Sequence, residues 1–244
     1  GIRVSKGELL SFCDVDDRVT EDYLYDMRRT IVTEDVDLVF CKYKQIHLDG
    51  TDITSTTPES GELTITDSLT CLKDFLYGRM TTGIWTIMVK KERLINNQLW
   101  FAEGYKYGED IHMLWRLISK SRKIAYLDKR LYIYQLQENS ATAKFDGERL
   151  QVYTLMKDLE KYFETNAPDF AGEYKKYGVS RLLWSITWQA SIYYDSEDFK
   201  RFIHDYNIKS EMQKLKYFNN WKVSLSAILF LLSPVLFRVM ANKY

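Results

Sequence analysis

With 244 residues the chain can bury one substantial core and carry a small helical appendage. A hydrophobic share of 45% against 28% charged residues excludes a disordered polymer, which could not bury enough apolar surface to fold. Lys plus Arg and Asp plus Glu are equal at 34 each, which argues against a nucleic-acid protein, because neutralising phosphates takes a basic excess.

Leu9-Leu10-Ser11-Phe12-Cys13 is a nearly continuous apolar run, the pattern expected of a strand buried on both faces. It ends in the acidic turn Asp14-Val15-Asp16-Asp17. Thr20 is placed to cap a helix to about Thr33, with Glu21 and Asp22 in its first turn and Leu24, Met27 and Ile31 on one face. Val36 to Ile46 reads as a strand, followed by a polar loop from Asp49 to Gly61. A second helix is predicted over Asp67 to Gly78, with Leu69, Leu72, Phe75 and Leu76 at helical spacing and Gly78 as its stop. Thr82 to Val89, containing Trp85, reads as a strand or extended segment. A loop rich in Asn, Gly and aromatics leads to Gly108-Glu109-Asp110, after which Ile111, Leu114, Trp115 and Ile118 follow amphipathic helical spacing. Ile124 to Tyr126 and Arg130 to Leu136 read as two short strands. Beyond Asn139-Ser140 the stretches Glu148 to Tyr162, Phe170 to Tyr194, Ser196 to Tyr206 and Lys209 to Asn219 all read as helix. Strands alternate with helices and then only helices follow, so the expected class is α/β with a helical C-terminal extension.

Cys13, Cys41 and Cys71 are odd in number and lack a C-x-x-C spacing, which fits reduced, buried thiols of a cytosolic compartment better than a disulfide framework or a zinc site. His47, His112 and His204 are scattered, giving little support to a histidine metal site or a Ser-His-Asp triad. Chemistry therefore rests on the carboxylates. Acids at the C-terminal end of a buried parallel strand sit where α/β sheets bind ligands. Asp14 and Asp16, two apart, can face one side, and Asp17 adds another oxygen. Hard cations such as Mn²⁺ or Mg²⁺ take such carboxylates together with a substrate phosphate. An isolated D-x-D-D is more often a solvated turn that caps the next helix. Asp110 falls at a helix start, where the dipole keeps a carboxylate ionised and able to accept a proton, although most such acids only stabilise their helix. Trp85 taken alone is more often core than ligand.

The combination says more. Gly1-Ile2, Gly7-Glu8 and Phe12-Cys13-Asp14-Val15-Asp16-Asp17, then Gly83-Ile84-Trp85, Tyr107-Gly108-Glu109-Asp110, Tyr132-Ile133-Tyr134-Gln135 and Asn139-Ser140, resemble in order and spacing the family 2 glycosyltransferases of bacterial surface-polysaccharide synthesis. The resemblance covers roughly Gly1 to Thr142. It implies a GT-A, Rossmann-like fold with a mostly parallel sheet, a nucleoside-diphosphate-sugar donor, and an inverting, metal-dependent transfer to a hydroxyl of a glycan or lipid-linked acceptor. By position it implies Asp14, Asp16 and Asp17 as donor-binding residues, with Asp16 and Asp14 on a Mn²⁺ or Mg²⁺ ion. Asp110 would be the general base and Glu109 its helper, while Trp85, Tyr107 and Gln135 would line the acceptor pocket. Gln135 stands where the family often has Arg, so any phosphate contact there is a weaker hydrogen bond. The resemblance also implies that nucleotide-binding strands precede Gly1, so that the catalytic domain over 1–142 is partial. A helical extension is expected over 143–220 and an amphipathic segment over 221–244.

Val223 to Phe237 is an almost uncharged run interrupted by Pro234 and flanked by Lys222, Arg238 and Lys243. It is short of the ~20 apolar residues a spanning helix needs. A segment lying in the inner face of the cytoplasmic membrane, with Trp221 and the cations at head-group level, fits better, and a helix packed on the protein is the plainer reading. Two other functions remain open. One is a non-catalytic, degenerate transferase kept as a membrane-associated scaffold. The other is a haloacid-dehalogenase-type phosphatase, a family that wants Thr or Val where Arg18 stands and a later G-D-x-x-x-D that Gly108-Glu109-Asp110 does not match. The oligomeric state has no signature.

Overall fold

The computed structural model describes residues 1–54, 57–80, 82–136 and 147–242. They fall into two compact units, the first made of Gly1–Leu72, Thr81–Tyr105 and Glu109–Lys144, the second of Lys73–Met80, Lys106–Gly108 and Phe145–Tyr244. Asn139-Ser140, Thr142 and Lys243 lie outside the described residues.

In chain order the elements of the first unit begin with β1 (Leu9–Ser11), β2 (Arg18–Val19), α1 (Tyr23–Glu34), β3 (Leu38–His47) and β4 (Leu63–Thr66). After α2 (Ser68–Tyr77), which runs across the unit boundary, come β5 (Ile87–Lys90), α3 (Lys91–Asn96), α4 (Glu109–Ser119) and β6 (Ile124–Leu136). The sheet order is β1-β5-β3-β6-β2, with β4 also paired to β6. β4 takes Ile124 to Leu127 and β2 takes Tyr132 and Ile133, so two short strands share successive stretches of one long strand. Only β3 and β6 run parallel among the described strands, which makes the sheet mixed rather than mostly parallel.

Alternation along β3 divides its side chains between the two faces, and Leu38, Val39, Phe40 and Cys41 are all fully buried. Val39 and Cys41 join Tyr23, Met27 and Ile31 of α1, Met88, Ala125, Leu127, Leu131 and Tyr132 in one apolar cluster. The buried stripe of α1 is Tyr23, Met27, Thr30 and Ile31, an i, i+4, i+7, i+8 set. Leu24, expected on that face, is 65% exposed because it lies a hundred degrees around the helix from Tyr23. The helix begins after Asp22, and Thr20 contributes its carbonyl to the Tyr23 N–H rather than a side-chain cap.

β1 is also corrected. It pairs on one side only, antiparallel to β5, and its residues are at most half-buried. A short apolar run looks the same at a sheet edge as in its middle, because periodicity reports neither neighbour. The two short strands expected at 124–126 and 130–136 are one strand: opposite Cys41 and Lys42 the β6 partners jump from Leu127 to Arg130. Asp128 and Lys129 therefore sit in a bulge, which a polar gap in the sequence disguises as a turn. Asp128 accepts from Lys42 and Ser60 in that bulge, and the lysine holds its carboxyl down at about 2.

The second unit is helical: α5 (Gln151–Asn166), α6 (Pro168–Tyr193), α7 (Ser196–Asp205), α8 (Ile208–Lys214), α9 (Trp221–Leu232) and α10 (Pro234–Ala241). Phe163 packs edge-on against Phe170 and Tyr174 with ring centres 5.2 and 4.8 Å away, and the Tyr174 hydroxyl donates to the Met156 carbonyl at 3.1 Å. Pro234 opens α10 at a position where its missing N–H costs nothing, so the apolar C-terminal run becomes a helix-elbow-helix. No helix of the described residues is long and apolar enough to cross a membrane.

Candidate active site

In the first unit the turn after β1 and the first residues of α4 meet at one pocket of about 420 Å³, lined by Asp14, Trp85, Phe101, Glu109 and Asp110 together with Ser11, Phe12, Cys13 and Ile84. Four of the residues singled out in the sequence are thus brought together from three separate stretches of chain. Cys13, expected to be buried, is exposed at this pocket, whereas Cys41 and Cys71 are buried free thiols.

The acidic turn is held by β6. Tyr132, with no exposed surface, accepts the Asp14 N–H at 3.2 Å and donates its hydroxyl to Asp17 Oδ2 at 2.6 Å. The Gln135 backbone N–H donates to Asp17 Oδ1 at 2.8 Å. Asp17 is therefore a clamp between the turn and the strand, while Asp14 and Asp16 stay exposed. The Gln135 side chain is buried and donates to the Ile46 carbonyl at 3.2 Å, so it is spent inside the sheet and does not line the pocket.

Trp85 sits in a short 3-10 turn, Ile84–Thr86, rather than in an extended segment. Its ring lies 4.8 Å from Tyr132, 5.5 Å from Tyr134 in a stacked pose and 4.7 Å from Tyr43 edge-on. A Cβ on Gly83 would fall 2.8 Å from the indole Cε2, so only glycine leaves room for this ring. Core packing and pocket lining are both true of Trp85. Tyr107 belongs to the second unit, where Lys106 and Arg149 lie over its ring at 5.2 and 5.8 Å.

Electrostatics set the pocket apart. Burial, then the charges of Asp17, Asp16 and Asp110, push the Asp14 carboxyl above its ordinary range. Burial raises Asp110 as well, opposed by the Ile111 N–H that donates to its Oδ1 at 2.7 Å. Glu109 is raised by burial and by Asp110 and Asp14, and its Oε2 is buried without a hydrogen-bond partner among the described residues. No Lys or Arg pairs with Asp14, Asp16, Asp17, Glu109 or Asp110 among the described residues. Elsewhere in the unit, acids do find cations: buried Asp37 takes Arg93 at 2.8 Å. Sequence reasoning missed Tyr132 as the hinge of the site, although its Tyr-x-Tyr motif was visible.

A mixed sheet with an acidic turn at one strand end, facing an acidic helix N-terminus across an aromatic wall, is the arrangement of a GT-A-like transferase fold. Solved structures confirm the fold. The chain matches S. aureus TarS residues 1–349 in complex with UDP-GlcNAc at a TM-score of 0.66 and 16% identity, covering 99% of this chain and 67% of that one. The complex of the same protein with UDP gives a TM-score of 0.62 at 16% identity, covering 99% of this chain and 66% of that one. In sequence the chain is similar to the uncharacterized glycosyltransferase EpsJ of Bacillus subtilis, 25% identical over 143 residues, which are 58% of this chain and 42% of EpsJ. The chain thus spans about two fifths of that curated relative. No family model matches.

Proposed function

We propose that the chain carries active-site residues of a bacterial glycosyltransferase, which moves a sugar from a nucleoside-diphosphate donor to a hydroxyl of a glycan or lipid-linked acceptor. The observation that carries this reading is the meeting of Asp14, Trp85, Glu109 and Asp110 in one pocket. The likeness to EpsJ and to TarS, solved with UDP-GlcNAc and UDP, supports a nucleotide-sugar donor.

Asp110 is the base of the reaction. Half-buried and placed at the pocket, it accepts the proton of the acceptor hydroxyl as that oxygen attacks the anomeric carbon. The bond from that carbon to the diphosphate breaks on the opposite face, so the configuration inverts and the electron pair leaves on the diphosphate. Burial raises the Asp110 carboxyl and so makes it a stronger base than an ordinary aspartate. Glu109, with its unpartnered Oε2, receives a second acceptor hydroxyl. Trp85 gives the sugar ring a flat apolar wall.

The donor set fits a divalent cation. Asp14 and Asp16 are exposed carboxylates without a cationic partner among the described residues, and the Asp16 charge helps to raise the Asp14 carboxyl. No group of three ligating side chains suffices by itself among the described residues, so Asp14 and Asp16 would share a Mn²⁺ or Mg²⁺ with the donor phosphates. Such an ion supplies neutralisation of the departing diphosphate.

The test measures sugar transfer by the protein from a nucleoside-diphosphate donor. Asp110→Asn lowers kcat by about 10² to 10⁴ while donor affinity measured by calorimetry stays unchanged. Loss of donor binding in that variant would make Asp110 structural and overturn its role as base.

A further inference from the structure

The second unit presents a face that the transfer reaction does not use. Along α9 the residues Trp221, Leu225 and Leu232 are exposed, and the outer side of α10 continues them with Val235, Leu236 and Val239. Trp221 is 70% exposed, Leu232 78% and Val235 70%. The opposite side of the same helices, with Val223, Ala227, Phe230 and Phe237, is buried. A helix apolar on both sides needs a cover on each, and only one is supplied here.

Charge says what the other cover is. After Glu211 the sequence contains Lys214, Lys216, Lys222, Arg238 and Lys243 and no acidic residue. Lys214 is neutralised by Glu211, and Arg238 caps the carbonyls of Ser191 and Tyr194. Lys216 and Lys222 have no carboxylate partner among the described residues. A second copy of this face would set like charges against each other, whereas an anionic surface complements them.

The local shape agrees. Trp221 and Lys222 form a ridge between two depressions of opposite polarity. On one side is a groove of about 850 Å³ walled by Trp184, Trp188, Leu225 and Leu229. On the other is a polar cleft lined by Gly78, Arg79, Asn219, Asn220, Lys222 and Ser224, in which Arg79 is paired with Asp74 at 3.1 Å and Lys222 is left without a carboxylate partner among the described residues. Behind Gly78 lies Arg181, whose Nη2 is 3.8 Å from where a Cβ on Gly78 would stand. Burial draws the Arg181 guanidinium down to about 10, it rests 4.5 Å over Trp184, and no carboxylate accompanies it among the described residues. Hydrocarbon walls beside a cationic cleft are the two halves of an amphiphile's complement.

We propose that the second unit docks on an anionic phospholipid bilayer through the α9–α10 face, with phosphate head groups at Lys222 and acyl chains against the tryptophan groove. Trp221 marks the depth of the interface, as indoles do at head-group level. The helices lie along the surface, since neither can cross it.

The experiment is co-sedimentation of the full chain with vesicles of phosphatidylcholine alone or of equal parts phosphatidylcholine and phosphatidylglycerol. Binding to the anionic vesicles is roughly tenfold or more tighter, and added salt weakens it. Val235→Asp combined with Leu236→Asp removes it. Lys216→Glu with Lys222→Glu, at polar positions that leave the apolar stripe intact, also removes the preference for anionic vesicles. Circular dichroism checks that each variant is folded, and the charge-reversal pair carries the test should the aspartates unfold the chain. Equal binding to both vesicle types, or binding to neither, would overturn the proposal. A dimer seen by light scattering and dissolved by Leu236→Asp would overturn it too, by giving the face to a second copy. None of these readouts depends on sugar transfer.

Discussion

Removal of the Tyr132 hydroxyl isolates the contribution of the clamp that holds the acidic turn. In Tyr132→Phe the ring stays in its fully buried place between Trp85 and the core, so no cavity opens. Two hydrogen bonds disappear, the 2.6 Å bond to the Asp17 carboxylate and the 3.2 Å bond from the Asp14 N–H. A bond to a charged group is worth about 1.5–3 kcal/mol and a neutral one about 0.5–1.5 kcal/mol. Asp17 is half-exposed and keeps the Gln135 N–H, so water replaces part of the loss. The expected destabilisation is about 2 kcal/mol. Urea unfolding measures it as a lower midpoint at unchanged slope. Amide hydrogen exchange localises it, because the Asp14 and Gln135 amides lose protection before the rest of β6. Tyr134→Phe is the control: its ring stacks on Trp85, its hydroxyl makes no hydrogen bond among the described residues, and its effect stays within about 0.5 kcal/mol. A Tyr132→Phe change no larger than that of the control, with the Asp14 amide still protected, would refute the reasoning.

Three further outcomes follow from the same geometry. Burial raises Asp110 above its unfolded value, so its ionisation opposes folding: the stabilising contribution is complete below the unfolded pKa and is lost as pH rises through the folded one. Asp110→Asn therefore melts higher than the parent near pH 8, and the gain shrinks toward pH 4; a gain independent of pH would show that the charge is not its source. Gly83→Ala drives a methyl into the Trp85 ring and costs about 1–3 kcal/mol, with a changed indole signal in near-ultraviolet circular dichroism; an unchanged signal would place the strain elsewhere. Asp37→Ala strips the partner from Arg93 and from the Arg122 N–H, which it accepts at 2.8 Å, and lowers stability by about 3 kcal/mol in urea titration; a loss under about 1 kcal/mol would mean that water already screens the pair.

The helices were the most legible part of the chain. α4 starts at Glu109, one residue before the expected start, and α6 and α7 match the expected spans to within a few residues, helped by Pro168 at the opening of α6 and the Asp195 cap of α7. Strand neighbours were not legible. Nothing local to Leu9-Leu10-Ser11 tells that only β5 lies beside it, and the exposed two-residue β2 has no pattern to detect. Trp85 was picked out by resemblance but placed in the wrong backbone, since an apolar stretch after Gly83 reads as strand whether or not its first residues turn. Asp14 and Asp110 were identified in sequence, whereas the use of Asp17 and Gln135 as a clamp required the register of β6, a property of distant pairing.

That register has a consequence for how the protein matures. The bonds fixing the acidic turn join residues 115 and 118 positions apart, and the loop between them must close before either forms. A nascent chain that has emerged only through α1 holds every carboxylate of the turn and the local bond from the Asp17 N–H to the Asp14 carbonyl, but none of the bonds that tie it to β6. The turn is therefore fixed in place by the arrival of β6 rather than by the synthesis of the aspartates.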